Sequence, residues 1–159
     1  MNLNPLAVAG LSLCLFTGLS PQKVVAETLL TVTHAGAVTE YDLQALQNLG
    51  SVVIETQTIW TDGPQTFTGT PLAALVAQLG LEGGVLLASA INDYKVEIPV
   101  SDAVEGGPII AYLNNDMPMT IRDKGPLWII YPYDSNPSYQ AELIYSRSIW
   151  QLDRIETSD

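Results

Sequence analysis

The sequence has 159 residues, is 47% hydrophobic, and carries a formal net charge of -11 from 17 acidic and 6 basic residues. This length and composition predict about one globular domain with a substantial core and argue against a disordered chain. An overall negative field repels polyanions, so the composition argues against nucleic acid as a partner.

An apolar run near the start of the sequence indicates an export signal. Residues 5–19 (PLAVAGLSLCLFTGL) have about the length of a signal-peptide hydrophobic region, and the sequence VVA ending at Ala26 provides a cleavage site. We therefore predict that residues 1–26 are a signal peptide and that residues 27–159 form a periplasmic or otherwise exported domain. A buried N-terminal helix is one alternative. A retained membrane anchor is another, and it alone would bring the chain to a membrane.

Hydrophobic spacing predicts two strands and two helices in the first half of the exported domain. The first helix rests on Leu43, Leu46 and Leu49, which recur every three residues before a glycine stop. For the second helix, Thr70 is the expected N-cap and Pro71 the expected first helical residue. In chain order, the predicted elements are a strand at 29–33, a helix over 43–50, a strand at 51–60, a turn at 62–64 and a helix from 71 to 80.

Alternating and β-branched segments predict strands in the second half of the domain. They are joined by turns rather than by regular helical crossovers. The predicted strands are 84–90, 94–100, 107–115, 126–131 and 148–156, with a turn at 114–116 leading into the segment 117–121. The fold class predicted from this pattern is α+β, mostly β, and not a doubly wound parallel sheet.

Familiar catalytic motifs are missing from the sequence. His34 is the only histidine, and Cys14, the only cysteine, would leave with the signal peptide, so a metal site made of histidine and cysteine is excluded. A Ser-His-acid triad would also depend on His34, and neither G-x-S-x-G nor a phosphate-binding loop is present. The catalytic residues therefore stay unknown, and whether the chain is an enzyme stays open.

The scarce cationic residues are candidates for binding an anion. Arg122 and Lys124 precede a Gly-Pro turn, and Arg147 follows a tyrosine-containing loop. In a chain this acidic, three grouped cations could bind an anionic ligand. Ordinary surface ion pairs with neighbours such as Asp123 are the alternative interpretation.

Aromatic residues are candidates either for the core or for a ligand pocket. Burial in the core is the commoner fate of such side chains. Trp60 lies beside a polar Thr-Asp-Gly turn and is the aromatic residue most expected to be exposed in a site. The main aromatic residues are Trp60, Trp128, Trp150, Tyr94, Tyr131 and Tyr133.

Several segments, taken in order, form a recognisable pattern. The segment IWTDGPQTFTGTPLAALVAQLGL leads into a helix that ends near Gly-Leu. After it, NDY is a turn, and KVEIPV is a strand that ends near Ile-Pro. The block IIAYLNNDMPMTIRDKGPLWIIYP and the closing IWQLDRI follow. Their order resembles the molybdopterin-binding domain of the sulfite oxidase class of oxidoreductases, in a short, exported, single-domain form. The resemblance covers nearly the whole exported domain and implies the sulfite oxidase molybdopterin-domain fold.

The resemblance implies a molybdopterin cofactor, with a stretch such as DKGPLWIIYP lining its pocket, but residues that carry the family chemistry differ here. The family's metal-ligating cysteine would fall around Thr56 to Thr58, and a hydroxyl cannot supply the soft thiolate of such a centre. Trp128 stands about where the family has an arginine, and Ile149 about where it has a lysine. These differences argue against ordinary sulfite-oxidase-type catalysis.

Two functional hypotheses follow. In the first, the chain is an exported molybdopterin-binding, oxidoreductase-like protein with a degenerate metal site and altered or absent catalysis. In the second, it is a non-enzymatic periplasmic module that takes a small-molecule or pterin-type ligand in the same pocket, with a redox or sensor protein as partner. The candidate cofactor- or ligand-binding residues are Thr56, Thr58, Trp60, Tyr94, Arg122, Lys124 and Arg147. No residue is assigned to a metal.

Overall fold

Two β-sheets and three short α-helices make up the fold, which a computed structural model describes for residues 26–158. The predicted signal peptide lies outside the described residues, apart from Ala26. The strands are β1 Leu30–His34, β2 Ala37–Tyr41, β3 Val52–Gln57, β4 Pro64–Pro71, β5 Val85–Ala90, β6 Lys95–Pro99, β7 Ile109–Asn114, β8 Met117–Pro118, β9 Trp128–Ile130 and β10 Leu152–Ser158. The helices are α1 Leu43–Leu49, α2 Leu72–Leu79 and α3 Glu142–Arg147. Across residues 26–158, no helix has the length and apolar character needed to span a membrane.

The first sheet joins the beginning and the end of the described chain. Its strand order is β2-β1-β10-β5-β6, in which β1 and β10 run parallel and the other neighbours run antiparallel. Val32 on β1 is opposite Ile155 on β10, and both side chains are buried. Side chains alternate between the two faces of a strand, so the buried positions of these strands point to one core.

The second sheet is built around β7. On one side, β7 pairs with β4, which in turn pairs with β3 at the edge of the sheet. On its other side, β7 pairs with β9 near its start and with β8 at its end. All three residues of β9 are buried. A short, continuous apolar run of this kind is typical of a strand that is covered on both faces.

One hydrophobic cluster connects the two sheets with α1 and α2. It includes Leu46 of α1, Leu72 and Leu75 of α2, Ile98 of the first sheet and Phe67 of the second, all with no exposed surface. Burial of a large apolar side chain contributes about 1.5–3 kcal/mol, so this cluster is the main source of stability. The α+β, mostly β fold class predicted from the sequence is confirmed.

The region between β3 and α2 differs from the prediction. The strand expected to extend through residue 60 ends at Gln57, and residues 64–71 form β4 instead of a turn and a helix entry. Thr70 is not the N-cap, because Pro71 takes that position and the Thr70 hydroxyl donates to the carbonyl of Leu46 at 2.7 Å. Because Thr70 is fully buried, its hydroxyl needs a hydrogen-bond partner, and the Leu46 carbonyl on α1 provides one.

Hydrophobic spacing does not predict β2 or α3. Only Tyr41 is buried among the five residues of β2, so the strand lacks the alternation of apolar and polar positions. The helix α3 has six residues with no buried member among them, which is too short for an apolar stripe. Both elements therefore form through contacts with neighbouring elements rather than through a hydrophobic pattern in their own residues.

Gly69→Ala should destabilise the fold, because a Cβ at this position on β4 would overlap the carbonyl group of Ile110 on β7. Backbone atoms cannot move aside as a flexible side chain can, and overpacking of this kind costs about 1–3 kcal/mol. Gly83→Ala is the matched control, since nothing lies within 4 Å of a Cβ built there. Urea unfolding measures the difference, and equal midpoints for the two variants would contradict the close approach of the strands.

Candidate functional site

An aromatic cleft of about 470 Å³ lies where loops from both sheets meet. The loop 58–63 after β3 and the turn 91–94 after β5 contribute to its lining, as do α3 and the segment 148–150. The aromatic cleft is lined by Trp60, Ala90, Asn92, Tyr94, Glu142, Tyr145, Ser146, Ser148, Ile149 and Trp150.

A second cavity, of about 510 Å³, lies beside α1 and β8. It is lined by residues such as Leu43, Gln47, Tyr112 and Met119. All seven predicted site residues lie outside its lining, so the aromatic cleft is the stronger candidate for the functional site.

Hydrogen bonds within the loop 58–63 fix the position of Trp60. The Trp60 backbone N–H donates to the hydroxyl of Thr58 at 3.1 Å, and the Thr58 backbone N–H donates to the hydroxyl of Thr61 at 3.1 Å. The two hydroxyl groups lie 3.0 Å apart, and that of Thr61 also donates to the carbonyl of Gly63. Threonine side chains commonly stabilise turns in this way, so the loop presents Trp60 in a fixed orientation.

Trp60 packs against three other aromatic rings. Its ring centroid lies 5.5 Å from that of Trp150 and 5.8 Å from that of Tyr145, with interplanar angles of 77° and 84°. The buried ring of Trp128 lies 5.9 Å from Trp60 at an angle of 60°. Aromatic pairs in such arrangements stabilise by about 0.5–1.5 kcal/mol beyond the burial of their area. The rings therefore hold one another in place.

Ser148 connects the aromatic residues to the backbone beside the cleft. Its hydroxyl accepts a hydrogen bond from the Tyr133 hydroxyl at 2.5 Å and donates to the carbonyl of Ile144 at 2.9 Å. Its carbonyl accepts from the indole N–H of Trp128 at 3.1 Å. Because Ser148, Tyr133 and Trp128 are buried, these bonds satisfy polar groups that would otherwise be costly to bury.

Arg147 forms an ion pair behind the cleft rather than a contact within it. Its Nη1 lies 2.8 Å from Oδ2 of Asp102, and the Tyr131 hydroxyl donates to the same oxygen at 2.8 Å. Burial, together with the hydrogen bond to the Asp102 carboxylate, raises the pKa of Tyr131 above its ordinary value. Arg147 therefore has a structural partner and lies outside the set of lining residues.

The residues around the expected metal-ligand position are buried and hydrogen-bonded. Thr56 is 1% exposed, and its hydroxyl accepts from the backbone N–H of Asp134 at 3.2 Å while lying 3.4 Å from that residue's carboxylate. The same carboxylate accepts from the backbone N–H of Gln57 at 2.6 Å. Thr58 is 4% exposed and engaged within its own loop. Both hydroxyl groups are thus occupied by the protein itself.

The structure brings two of the predicted site residues, Trp60 and Tyr94, into the aromatic cleft. Tyr94 is 57% exposed on the turn after β5, where its backbone N–H donates to the side chain of Asn92 at 3.2 Å. Sequence reasoning does not single out Glu142 or Tyr145, which reach the cleft from α3. Their three-residue spacing, which puts both on one face of a helix, is the signal that could reveal them.

The predicted cations do not converge on one anion site. Arg122 is exposed on the 3-10 turn at residues 121–123. The Lys124 Nζ lies 5.4 Å from the centroid of the Trp128 ring, within the range of a cation–π interaction. Together with Arg147, both lie outside the set of residues that lines the cleft.

The stretch DKGPLWIIYP, which the family resemblance places against a pterin, is largely core. Leu127, Trp128, Ile129, Ile130 and Tyr131 are each no more than 1% exposed. Of these five, Trp128 packs directly against two aromatic residues of the cleft lining, Trp60 and Trp150. The stretch therefore supports the cleft from behind.

Comparison with known proteins shows a distant likeness in fold. No family model matches the chain, and no curated protein matches it. Among solved structures, the sulfane dehydrogenase SoxCD from Paracoccus pantotrophus matches with a TM-score of 0.60 and 15% sequence identity. The match covers 82% of this chain and 38% of the SoxCD chain, so this chain spans well under half of that length. SoxC is of the sulfite oxidase family, and at this identity the likeness shows the fold alone.

The donor groups around Thr56 and Thr58 do not fit a molybdenum centre held by a protein thiolate. The only cysteine in the sequence, Cys14, lies outside the described residues, and both threonine hydroxyls are already hydrogen-bonded. Within residues 26–158, no group of three or more His, Cys, Asp or Glu side chains is placed to hold a metal ion. A soft metal would thus lack its preferred protein ligand in this part of the chain.

Alkaline pH should weaken the fold, because two buried tyrosines retain their protons in the folded protein. Burial raises the pKa of Tyr133 from its ordinary value of 10 to about 12, and burial also raises the pKa of Tyr131. Above pH 10 the unfolded chain loses both protons while the folded protein keeps them, so the free energy of unfolding falls. The expected fall is about 1.4 kcal/mol per pH unit for each tyrosine.

Urea unfolding at a series of pH values between 10 and 12 measures this slope. Tyr133→Phe should remove about half of it, whatever its effect on stability at neutral pH. If Tyr133→Phe showed the same slope as the native chain, the raised pKa of Tyr133 would be contradicted.

Proposed function

We propose that this chain is an exported, non-enzymatic ligand-binding protein that uses a sulfite oxidase-like scaffold without molybdenum chemistry. The observation that carries the proposal is the role of the two threonines near the expected metal ligand. Thr56 is bonded to Asp134, and Thr58 holds the backbone of Trp60. The loop that would present a metal ligand in the family thus presents an aromatic side chain to a cleft.

The size and lining of the aromatic cleft support a small organic ligand. Its volume of about 470 Å³ falls within the range of about 300–1,000 Å³ that is usual for small-molecule sites. Most of its lining is apolar or aromatic, and Asn92, Ser146 and Glu142 add a few polar groups. Such sites bind through apolar contact and orient the ligand through the polar groups.

The charges at the cleft argue against a phosphate-bearing pterin. A phosphate is bound best by arginine, lysine or backbone N–H donors. Arg147 is paired with Asp102, and Lys124 lies on Trp128. The one charged residue among the described lining residues is Glu142, and the net charge of the chain is -11, so both would repel an anion. A neutral or cationic organic ligand is therefore the better supported choice.

The exported location that we propose for this chain rests on the apolar run at residues 5–19. A sensor or redox protein is the partner that we propose.

Protein purified from a host that makes molybdenum cofactor should contain neither molybdenum nor pterin in stoichiometric amounts. The reason is the lack of a thiolate and of converging cations among the residues described above. Elemental analysis and pterin fluorescence measure both, and the intact mass of the same sample shows whether residues 1–26 have been removed. One molybdenum atom per chain would contradict the proposal.

A ligand of the aromatic cleft should raise the melting temperature of the native chain and lose this effect in Trp150→Ala. A ligand at about 100 times its dissociation constant stabilises a protein by roughly 2.7 kcal/mol. The screen should contain planar aromatic compounds, small neutral compounds and organic cations. Met117→Ala is the matched control, because Met117 is 67% exposed on β8 and lies outside the cleft.

Stabilisation that survives equally in Trp150→Ala would place binding elsewhere. A screen in which no compound raises the melting temperature would contradict the ligand-binding function itself.

A further inference from the structure

The rings and charges of the aromatic cleft narrow the class of its ligand. We propose that the cleft binds an organic cation whose charge is carried by an alkylated ammonium group, such as trimethylammonium. This inference rests on the proposed ligand-binding function and goes further by naming the chemistry of the ligand.

The aromatic rings of the cleft face in several directions. The plane of Trp60 makes angles of 77° with Trp150 and 84° with Tyr145, and Tyr94 contributes a fourth aromatic side chain to the lining. The face of an aromatic ring attracts a cation that lies within about 6 Å of the ring centroid. Rings at steep angles can surround a rounded cation, whereas a flat ligand is better served by parallel rings.

One ring beside the cleft, Trp128, already accommodates a cation. Lys124 places its Nζ 5.4 Å from the centroid of Trp128, which in turn lies 5.9 Å from Trp60 and 6.5 Å from Trp150. The contact shows that an indole ring packed against Trp60 and Trp150 attracts positive charge in this environment. Lys124 lies outside the lining, so it does not itself fill the cleft.

The charges beside the cleft favour a cation over an anion. Glu142 is exposed and is the one charged side chain among the described lining residues. On the neighbouring turn, Asp93 is neutralised in part by Arg154, whose Nη2 lies 2.6 Å from Oδ1 of Asp93. The overall charge of -11 adds an attractive field for cations at longer range.

An alkylated ammonium suits the cleft better than a primary ammonium does. A primary ammonium carries three N–H donors and is strongly hydrated, so its burial requires several acceptors. The polar groups of the lining are few, and the side-chain oxygen of Asn92 already accepts from the backbone of Tyr94. A trimethylammonium group has no N–H donor, and its methyl groups can contact the apolar lining without leaving a donor unsatisfied.

The test compares choline with 3,3-dimethylbutan-1-ol, a neutral compound of the same shape in which carbon replaces the charged nitrogen. Isothermal titration of the native chain should show choline binding about tenfold more tightly, as expected for a cation over several aromatic faces. Equal affinities would overturn the inference about charge and leave the ligand-binding function standing.

Two charge variants sharpen the comparison. Glu142→Gln should weaken choline binding by about threefold and leave the neutral compound unaffected, since an exposed charge contributes modestly. Glu40→Gln is the control, because β2 lies at the opposite edge of the first sheet from β6. Lys124→Gln removes the positive charge that lies on Trp128 behind the cleft, so this variant should bind choline at least as tightly as the native chain. Weaker choline binding in Lys124→Gln would overturn the inference.

The failure of this inference can be told apart from the failure of the proposed function. If choline does not bind while planar aromatic compounds from the thermal screen do, the cation inference falls and the ligand-binding function stands. If neither choline nor any compound of the screen binds, both fall.

Discussion

The packing of Trp60 against Trp128, Trp150 and Tyr145 is the interaction on which the aromatic cleft depends. Trp60 is placed there through its backbone hydrogen bond to Thr58, which is itself buried. Thr58 lies in the region where the family resemblance expects a cysteine. In the proposed account, the loss of a metal ligand and the appearance of an aromatic cleft are therefore one local change.

The two sheets explain why the cleft forms where it does. The first sheet supplies the turn 91–94 and the second supplies the loop 58–63, while α3 adds further lining residues. Ser148 connects α3 to β9 of the second sheet, because its hydroxyl donates to the carbonyl of Ile144 and its own carbonyl accepts from Trp128. Loops held on a rigid scaffold are common carriers of function. The likeness to the sulfite oxidase family concerns this scaffold, whereas the function has to be argued from the side chains on its loops.

Sequence patterns predict the elements whose apolar faces repeat regularly, such as α1 and most strands. They do not predict β4, whose place depends on pairing with β3 and β7 rather than on its own residues. At the site, Trp60 and Tyr94 are predictable one at a time because each lies beside a polar turn. That Trp60 and Tyr94 line the same cleft as Tyr145 cannot be predicted in this way, because Tyr145 lies on α3, which is too short to show a hydrophobic stripe. The prediction of an anion site from grouped cations overlooks the partner of Arg147. This partner is Asp102, 45 residues away, and the local sequence cannot reveal it.

The chain has three tryptophans, Trp60, Trp128 and Trp150, which pack against one another at the cleft, so their indole N–H signals report directly on it. The most direct measurement is a nitrogen-15 correlation spectrum of these three signals during a choline titration. We expect saturable shifts of Trp60 and Trp150 along one binding curve, with a smaller shift of Trp128, whose indole N–H is held by the carbonyl of Ser148. Unchanged Trp60 and Trp150 signals, with choline-dependent shifts confined to residues outside the cleft, would contradict this expectation.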